Sequence, residues 1–139
     1  MAQTVEEIMT VNPRTVNVDD TVKDAAGVMR DSDIGDVIVI GDGQVTGIVT
    51  DRDIAVRAVA EGRDAESTSV SEICSAGIQA IEPNGSVDDA LRMMREEDIR
   101  RLPVVKNGRP VGIVSLGDLA VEREPDSTLA DISAASPDQ

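Results

Sequence analysis

From Val22 onward, the apolar residues Val22, Ala25, Ala26 and Met29 recur at spacings of three and four, which puts them on one helical face. Thr21-x-x-Asp24 ahead of them reads as a capping-box helix start, with Asp in the place usually held by Glu. The pattern returns further along, with Val87, Ala90, Leu91 and Met94 behind Ser86-x-x-Asp89. The methionines in both stretches read as core packing. Each helix is followed by short apolar runs that are too brief for helices and are joined at glycine turns. The first runs are Val37 to Ile40, Gly41-Asp42-Gly43 and Val45 to Val49. The second are Leu102 to Val105, Lys106-Asn107-Gly108 and Pro110 to Val114. Both predict β-hairpins. A second helix is expected from near Asp51 to Glu61, stopped by Gly62. Its counterpart starts near Leu116 and fades by Glu122. Short extended pieces, Arg14-Thr15-Val16 and Gln79-Ala80-Ile81, precede the first helix of each set.

The two sets are one unit written twice, at the single constant offset that carries Val5 onto Val70. Val5-Glu6-Glu7-Ile8 lies over Val70-Ser71-Glu72-Ile73, Met29-Arg30 over Met94-Arg95, and Asp33-Ile34 over Asp98-Ile99. Gly47-Ile48-Val49 lies over Gly112-Ile113-Val114, and Asp53 over Asp118. No gap is needed from Thr4 to Ala55, and about a third of the pairs are identical, which is a repeat architecture. The unit is β-α-β-β-α, roughly 50 residues long and too small to be comfortable alone. The expected fold is therefore mixed α/β (α+β): two such repeats packed sheet to sheet with pseudo-two-fold symmetry. Residues 4–60 form repeat one, 61–68 the connector, 69–121 repeat two and 122–139 an acidic tail.

Composition narrows the function. The net charge of −14 opposes nucleic acid, whose phosphates need a basic face, and opposes anionic lipid. No run reaches the roughly 20 apolar residues that span a bilayer, and the N-terminus lacks a secretory pattern, so a cytoplasmic protein is expected. Histidine, Phe, Tyr and Trp are all absent. That excludes Ser-His-Asp and Cys-His nucleophile systems, His-ligated zinc and aromatic stacking platforms. Cys74 is the single cysteine and reads as a small buried hydrophobe. No Gly-rich phosphate loop, activated nucleophile or metal-ligand cluster supports an enzyme, so no catalytic residue, no metal site and no obligatory cofactor are assigned.

The duplicated signature Gly47-Ile48-Val49-Thr50-Asp51-Arg52-Asp53 and Gly112-Ile113-Val114-Ser115-Leu116-Gly117-Asp118, each within strand-turn-strand-helix order, resembles the cystathionine-beta-synthase (CBS) domain family. Ile99-Arg100-Arg101-Leu102-Pro103-Val104-Val105 looks like that family's second-strand motif. The resemblance runs from Thr4 to Ala120, and the chain looks like the stand-alone CBS pairs of bacteria. It implies a regulatory module, not an enzyme, that binds an adenosine-containing ligand of the AMP, ADP, ATP or S-adenosylmethionine kind in clefts between repeats. A ligand-free interaction or stress-response scaffold of the same fold is the alternative. Thr50 and Ser115 stand where a strand enters a helix; they read either as plain caps or as residues whose hydroxyls, with free backbone N–H groups nearby, hold phosphate. Asp53 and Asp118 would accept hydrogen bonds from ribose hydroxyls. By resemblance the cleft of Asp53 uses Ile78 and Gln79, and the cleft of Asp118 uses Pro13 and Arg14.

Charge makes the expected clefts unequal. The resemblance implies that Arg100 and Arg101 face the cleft of Thr50 and Asp53, where guanidiniums suit phosphate; the pair equally fits ordinary surface charge balancing Glu96, Glu97 and Asp98. Repeat one offers Gly35 and Asp36 at these positions, so the cleft of Ser115 and Asp118 would be the weaker one for a phosphorylated ligand. The resemblance also implies a homodimer built through helices, covering Ala55, Val56, Val59 and Ala120, and a target protein that the sequence does not name.

Overall fold

The computed structural model describes residues 4–76 and 79–123. A 3-10 turn at Val5–Glu7 leads into β1 (Thr10–Val11), β2 (Thr15–Asn17), helix α1 (Val22–Ser32), β3 (Asp36–Gly41) and β4 (Gln44–Thr50). Helix α2 (Asp51–Asp53) follows and continues as a π-helix over Ile54–Val59. After a 3-10 turn at Val70–Glu72 come β5 (Ser75–Ala76), α3 (Val87–Glu97), β6 (Arg101–Lys106), β7 (Arg109–Ser115) and α4 (Leu116–Arg123). The expected tail thus contributes Glu122 and Arg123 to α4, while its remainder from 124 and the site residue Ile78 lie outside the described residues.

Local chemistry accounts for the element boundaries. The Thr21 hydroxyl accepts from the Asp24 N–H at 3.1 Å and the Asp24 carboxylate accepts from the Thr21 N–H at 3.0 Å, the reciprocal box expected from sequence. In α3 the Ser86 hydroxyl caps Asp89 N–H at 2.9 Å, and the Asp89 carboxylate is held 3.2 Å from Arg92. Both helices stop at an aspartate in the left-handed region, Asp33 at φ 55° and Asp98 at φ 53°. The hairpins turn on Asp42-Gly43 and Asn107-Gly108, all four residues with positive φ, the geometry that matches the twist of the paired strands. Both hairpins have the same register, with a shift at Val39/Ile40 and at Val104/Val105. Ile38 in place of Pro103 therefore leaves the strand geometry unchanged. It does change the neighbour. The Ile38 N–H donates to the Arg14 carbonyl at 3.1 Å, and β2 runs parallel to β3 over three residues. Proline has no N–H to give, and the matching piece of repeat two is reduced to a bridge between Ile81 and Val104.

The chain divides into two compact units that are not the two sequence repeats. A middle unit spans Arg14–Ile78, and a terminal unit joins Met1–Pro13 to Gln79–Gln139. The middle unit has a four-stranded sheet in the order β2-β3-β4-β5 over a core of Val16, Val22, Met29, Val39, Val49, Val70 and Ile73. The terminal unit has a three-stranded sheet in the order β1-β7-β6 over Val5, Val87, Met94, Leu102, Val114 and Leu119. Each repeat therefore lends its leading segment to the other's unit. Val5 N–H donates to the Gly85 carbonyl at 2.9 Å, and Val70 N–H donates to the Asp20 carbonyl at 2.8 Å. Beyond these turns β1 pairs with the edge of β7 and β5 with the edge of β4, which satisfies strand edges left open by the hairpins.

The signature glycines make room for this exchange. A Cβ on Gly47 would collide with the Ser75 carbonyl oxygen, and one on Gly112 with the Met9 sulfur and the Thr10 carbonyl. Gly112→Val should therefore push β1 off β7 and cost about 1–3 kcal/mol, the range for overpacking a well-filled site. Urea unfolding checks this; an unchanged midpoint would mean that the glycine is not needed for the close approach.

Candidate functional site

The two strand-to-helix junctions are built alike. Where β4 enters α2, the Thr50 hydroxyl accepts from the Asp53 N–H at 3.0 Å and the Asp53 Oδ2 accepts from the Thr50 N–H at 2.9 Å. Where β7 enters α4, the Ser115 hydroxyl accepts from the Asp118 N–H at 3.1 Å and the Asp118 Oδ2 accepts from the Ser115 N–H at 3.3 Å. The start of the preceding strand is sewn to each junction. The Asp51 N–H donates to the Gly35 carbonyl at 3.0 Å, and the Leu116 N–H to the Arg100 carbonyl at 2.7 Å. Thr50 lies opposite Asp36 in the strand register, and Ser115 opposite Arg101.

One expectation needs correction. The backbone N–H groups at the first junction are not available to hold phosphate. Thr50 and Asp53 cap one another, Asp51 donates to Gly35, and Arg52 N–H donates to the Asp51 carboxylate at 2.8 Å. Short acidic side chains compete for the nearest amides, and here they take them. At the second junction Leu116 stands where Asp51 does and offers no such acceptor.

The middle unit holds Thr50, Asp53 and Arg14; the terminal unit holds Pro13, Gln79, Arg100, Arg101, Ser115 and Asp118. The structure thus brings Thr50 together with Asp53, and gathers Ser115, Asp118 and the arginine pair at one end of the β6–β7 hairpin. Asp118 is exposed, while the Asp53 side chain retains only 14% of its exposure.

Sequence reasoning missed two neighbours of Asp53. Arg57 Nε lies 3.8 Å from Asp53 Oδ1, and Arg57 Nη1 donates to the Ile73 carbonyl at 3.2 Å. The four-residue spacing on a helix was the available signal. Cys74 is half-buried, and its thiol is pushed above the usual range by burial first and then by the Asp53 charge, with Arg57 acting the other way. Among the described residues, no group of three or more acidic or thiol side chains could hold a metal, and no helix is long and apolar enough to cross a membrane.

Two mixed units, each with a helix-capping Thr/Ser and Asp at its strand-to-helix junction, define a duplicated α+β domain architecture. The CBS domain family model matches residues 5–59 and 70–123, and the chain belongs to that family. CBS domain-containing protein YhcV of Bacillus subtilis is 43% identical over 119 residues, covering 86% of this chain and 84% of that protein. The crystal structure of Hypoxic Response Protein I, solved with two coordinated zinc ions, has a TM-score of 0.77 at 35% identity and covers 84% of this chain and 96% of that one. A hexameric CBS-CP12 protein from bloom-forming cyanobacteria has a TM-score of 0.77 at 28% identity, covering 98% and 78%.

Because the Cys74 thiol is held above its usual range, its alkylation by iodoacetamide should rise with pH at a midpoint above that of free cysteine. Asp53→Asn should move that midpoint down by removing a charge that opposes the thiolate. A midpoint at or below that of free cysteine, measured by mass spectrometry across pH, would contradict this environment.

Proposed function

We propose that the chain is a non-enzymatic, cytoplasmic regulatory module that senses an adenosine-containing ligand, of the AMP, ADP, ATP or S-adenosylmethionine kind, through its Thr/Ser–Asp junctions. The observation that carries this reading is the reciprocal Thr50–Asp53 bond, repeated at the equivalent place in the second repeat as Ser115–Asp118. In each, one carboxylate oxygen is fixed by a backbone N–H, which sets the orientation of the other. An oriented carboxylate is the acceptor that two ribose hydroxyls require. Asp53 is the more shielded of the two, and a charge-assisted hydrogen bond gains strength where water is excluded.

Asp53→Ala should weaken AMP binding about tenfold to a hundredfold, the range for a lost hydrogen bond to a charged group. Asp118→Ala should do much less. Isothermal titration of both variants checks the ranking; equal losses would remove the distinction between the junctions. No heat with any adenine ligand would favour the ligand-free scaffold of the same fold.

The reading includes self-association. Val56, Val59 and Val121 are large apolar side chains left exposed on the second helices, at 47%, 70% and 43%, and Ala55 is exposed next to Val56 in the chain. Ala120, expected to need covering by a partner, is instead buried already. Light scattering at micromolar concentration should give about twice the 14.7 kDa chain mass. A monomer would contradict a homodimer, and a higher mass would point to the kind of assembly for which the cyanobacterial relative is named.

A further inference from the structure

Arg57 has no role in the reading so far, yet three observations single it out. The N–H groups from Thr50 to Asp53 already have acceptors, so a phosphate arriving at this junction is left with the Thr50 hydroxyl and side-chain cations. The Arg57 guanidinium is tethered beside the junction from two directions, by the Asp53 carboxylate at 3.8 Å and by the Ile73 carbonyl at 3.2 Å, while 53% of its side chain stays exposed. The helix that carries it leaves α winding over Ile54–Val59, where the Ala60 N–H reaches the Ala55 carbonyl and the Arg63 N–H the Ala58 carbonyl. Such π segments collect at functional sites. The equivalent position in the second repeat is Glu122, of opposite charge.

We propose that Arg57 sets the ligand class of the Thr50–Asp53 junction, selecting a phosphorylated adenosine over the bare nucleoside. Asp51 and Asp53 follow Thr50 with only Arg52 between them, so the junction is net negative before Arg57 is counted. That field repels phosphate. A guanidinium anchored next to Asp53 offsets it, and its planar fork presents donors that match phosphate oxygens. Arg57 is thus a specificity residue, and the ribose partner remains Asp53. The inference rests on the adenosine reading above.

The test is calorimetric titration of the full chain with AMP and with adenosine. Asp118→Ala is placed in the background so that the Thr50–Asp53 junction dominates. Arg57→Gln should weaken AMP about tenfold, as expected for one lost charge contact at partial screening, and weaken adenosine, which feels Arg57 only through Asp53, much less. Arg57→Lys should restore most of the AMP preference. In the chain with Arg57 intact, added salt should weaken AMP and spare adenosine, a readout that does not depend on the variant folding. Equal weakening of both ligands by Arg57→Gln, or AMP binding insensitive to both the substitution and salt, would overturn the proposal while leaving the adenosine reading standing. If the chain with both junctions intact binds neither ligand, the adenosine reading itself fails, and this inference with it.

Discussion

The reciprocal exchange of leading segments is the constraint on which the rest of the structure depends. A β-α-β-β-α repeat of this size leaves a hairpin edge unpaired and a helix only partly covered. Val5 and Val70, both fully buried, enter the unit formed by the other repeat's helices and hairpin, and β1 and β5 close the open edges. The fit requires backbone to lie against backbone at Gly47 and Gly112, where a side chain would collide with the incoming strand. The family signature therefore begins with a structural demand. Its glycine serves the exchange, and its Thr or Ser and its Asp serve the junction three to six residues further on.

The same exchange places chemistry at the first junction. Ile73 and Cys74 belong by sequence to repeat two, but they sit in the middle unit, where the Ile73 carbonyl anchors Arg57 and the Cys74 thiol feels the Asp53 charge. Asp53 is thus fixed by a backbone N–H on one side and a guanidinium on the other. Asp118 has the first of these restraints and stands more exposed. Two repeats of one pattern have in this way acquired junctions with different electrostatics, through the differences between Asp51 and Leu116 and between Arg57 and Glu122.

Much of this was legible in the sequence. The periodicity of Val22, Ala25 and Met29, the caps at Thr21 and Ser86 and the Asp-Gly and Asn-Gly turns all fall where the pattern put them, because each is a local effect. The constant offset between matching residues exposed the duplication. The exchange was hidden, since a repeat read from sequence carries no sign of which unit its first strand joins. The π-helix was hidden for a similar reason: Ile54 to Val59 reads as ordinary apolar helix, and the wider winding depends on how the turn packs. The amides at Thr50 read as open in the sequence because helix starts leave N–H groups without intrahelical partners, and the rotamer that lets the Asp51 carboxylate take the Arg52 N–H is visible only in the structure. The shorter second-repeat strand could have been anticipated from Pro103, which lacks the N–H that Ile38 gives to Arg14.

The account's central claim is that ligand recognition occurs at the Thr50–Asp53 junction and is felt by the exchanged segment anchored there. Hydrogen exchange of the full chain with and without AMP tests it most directly. The account predicts slowed exchange at residues 50–57 and 73–76 on adding AMP, with smaller changes at 115–118. Protection confined to other parts of the chain would contradict it, as would an exchange pattern that AMP leaves unaltered.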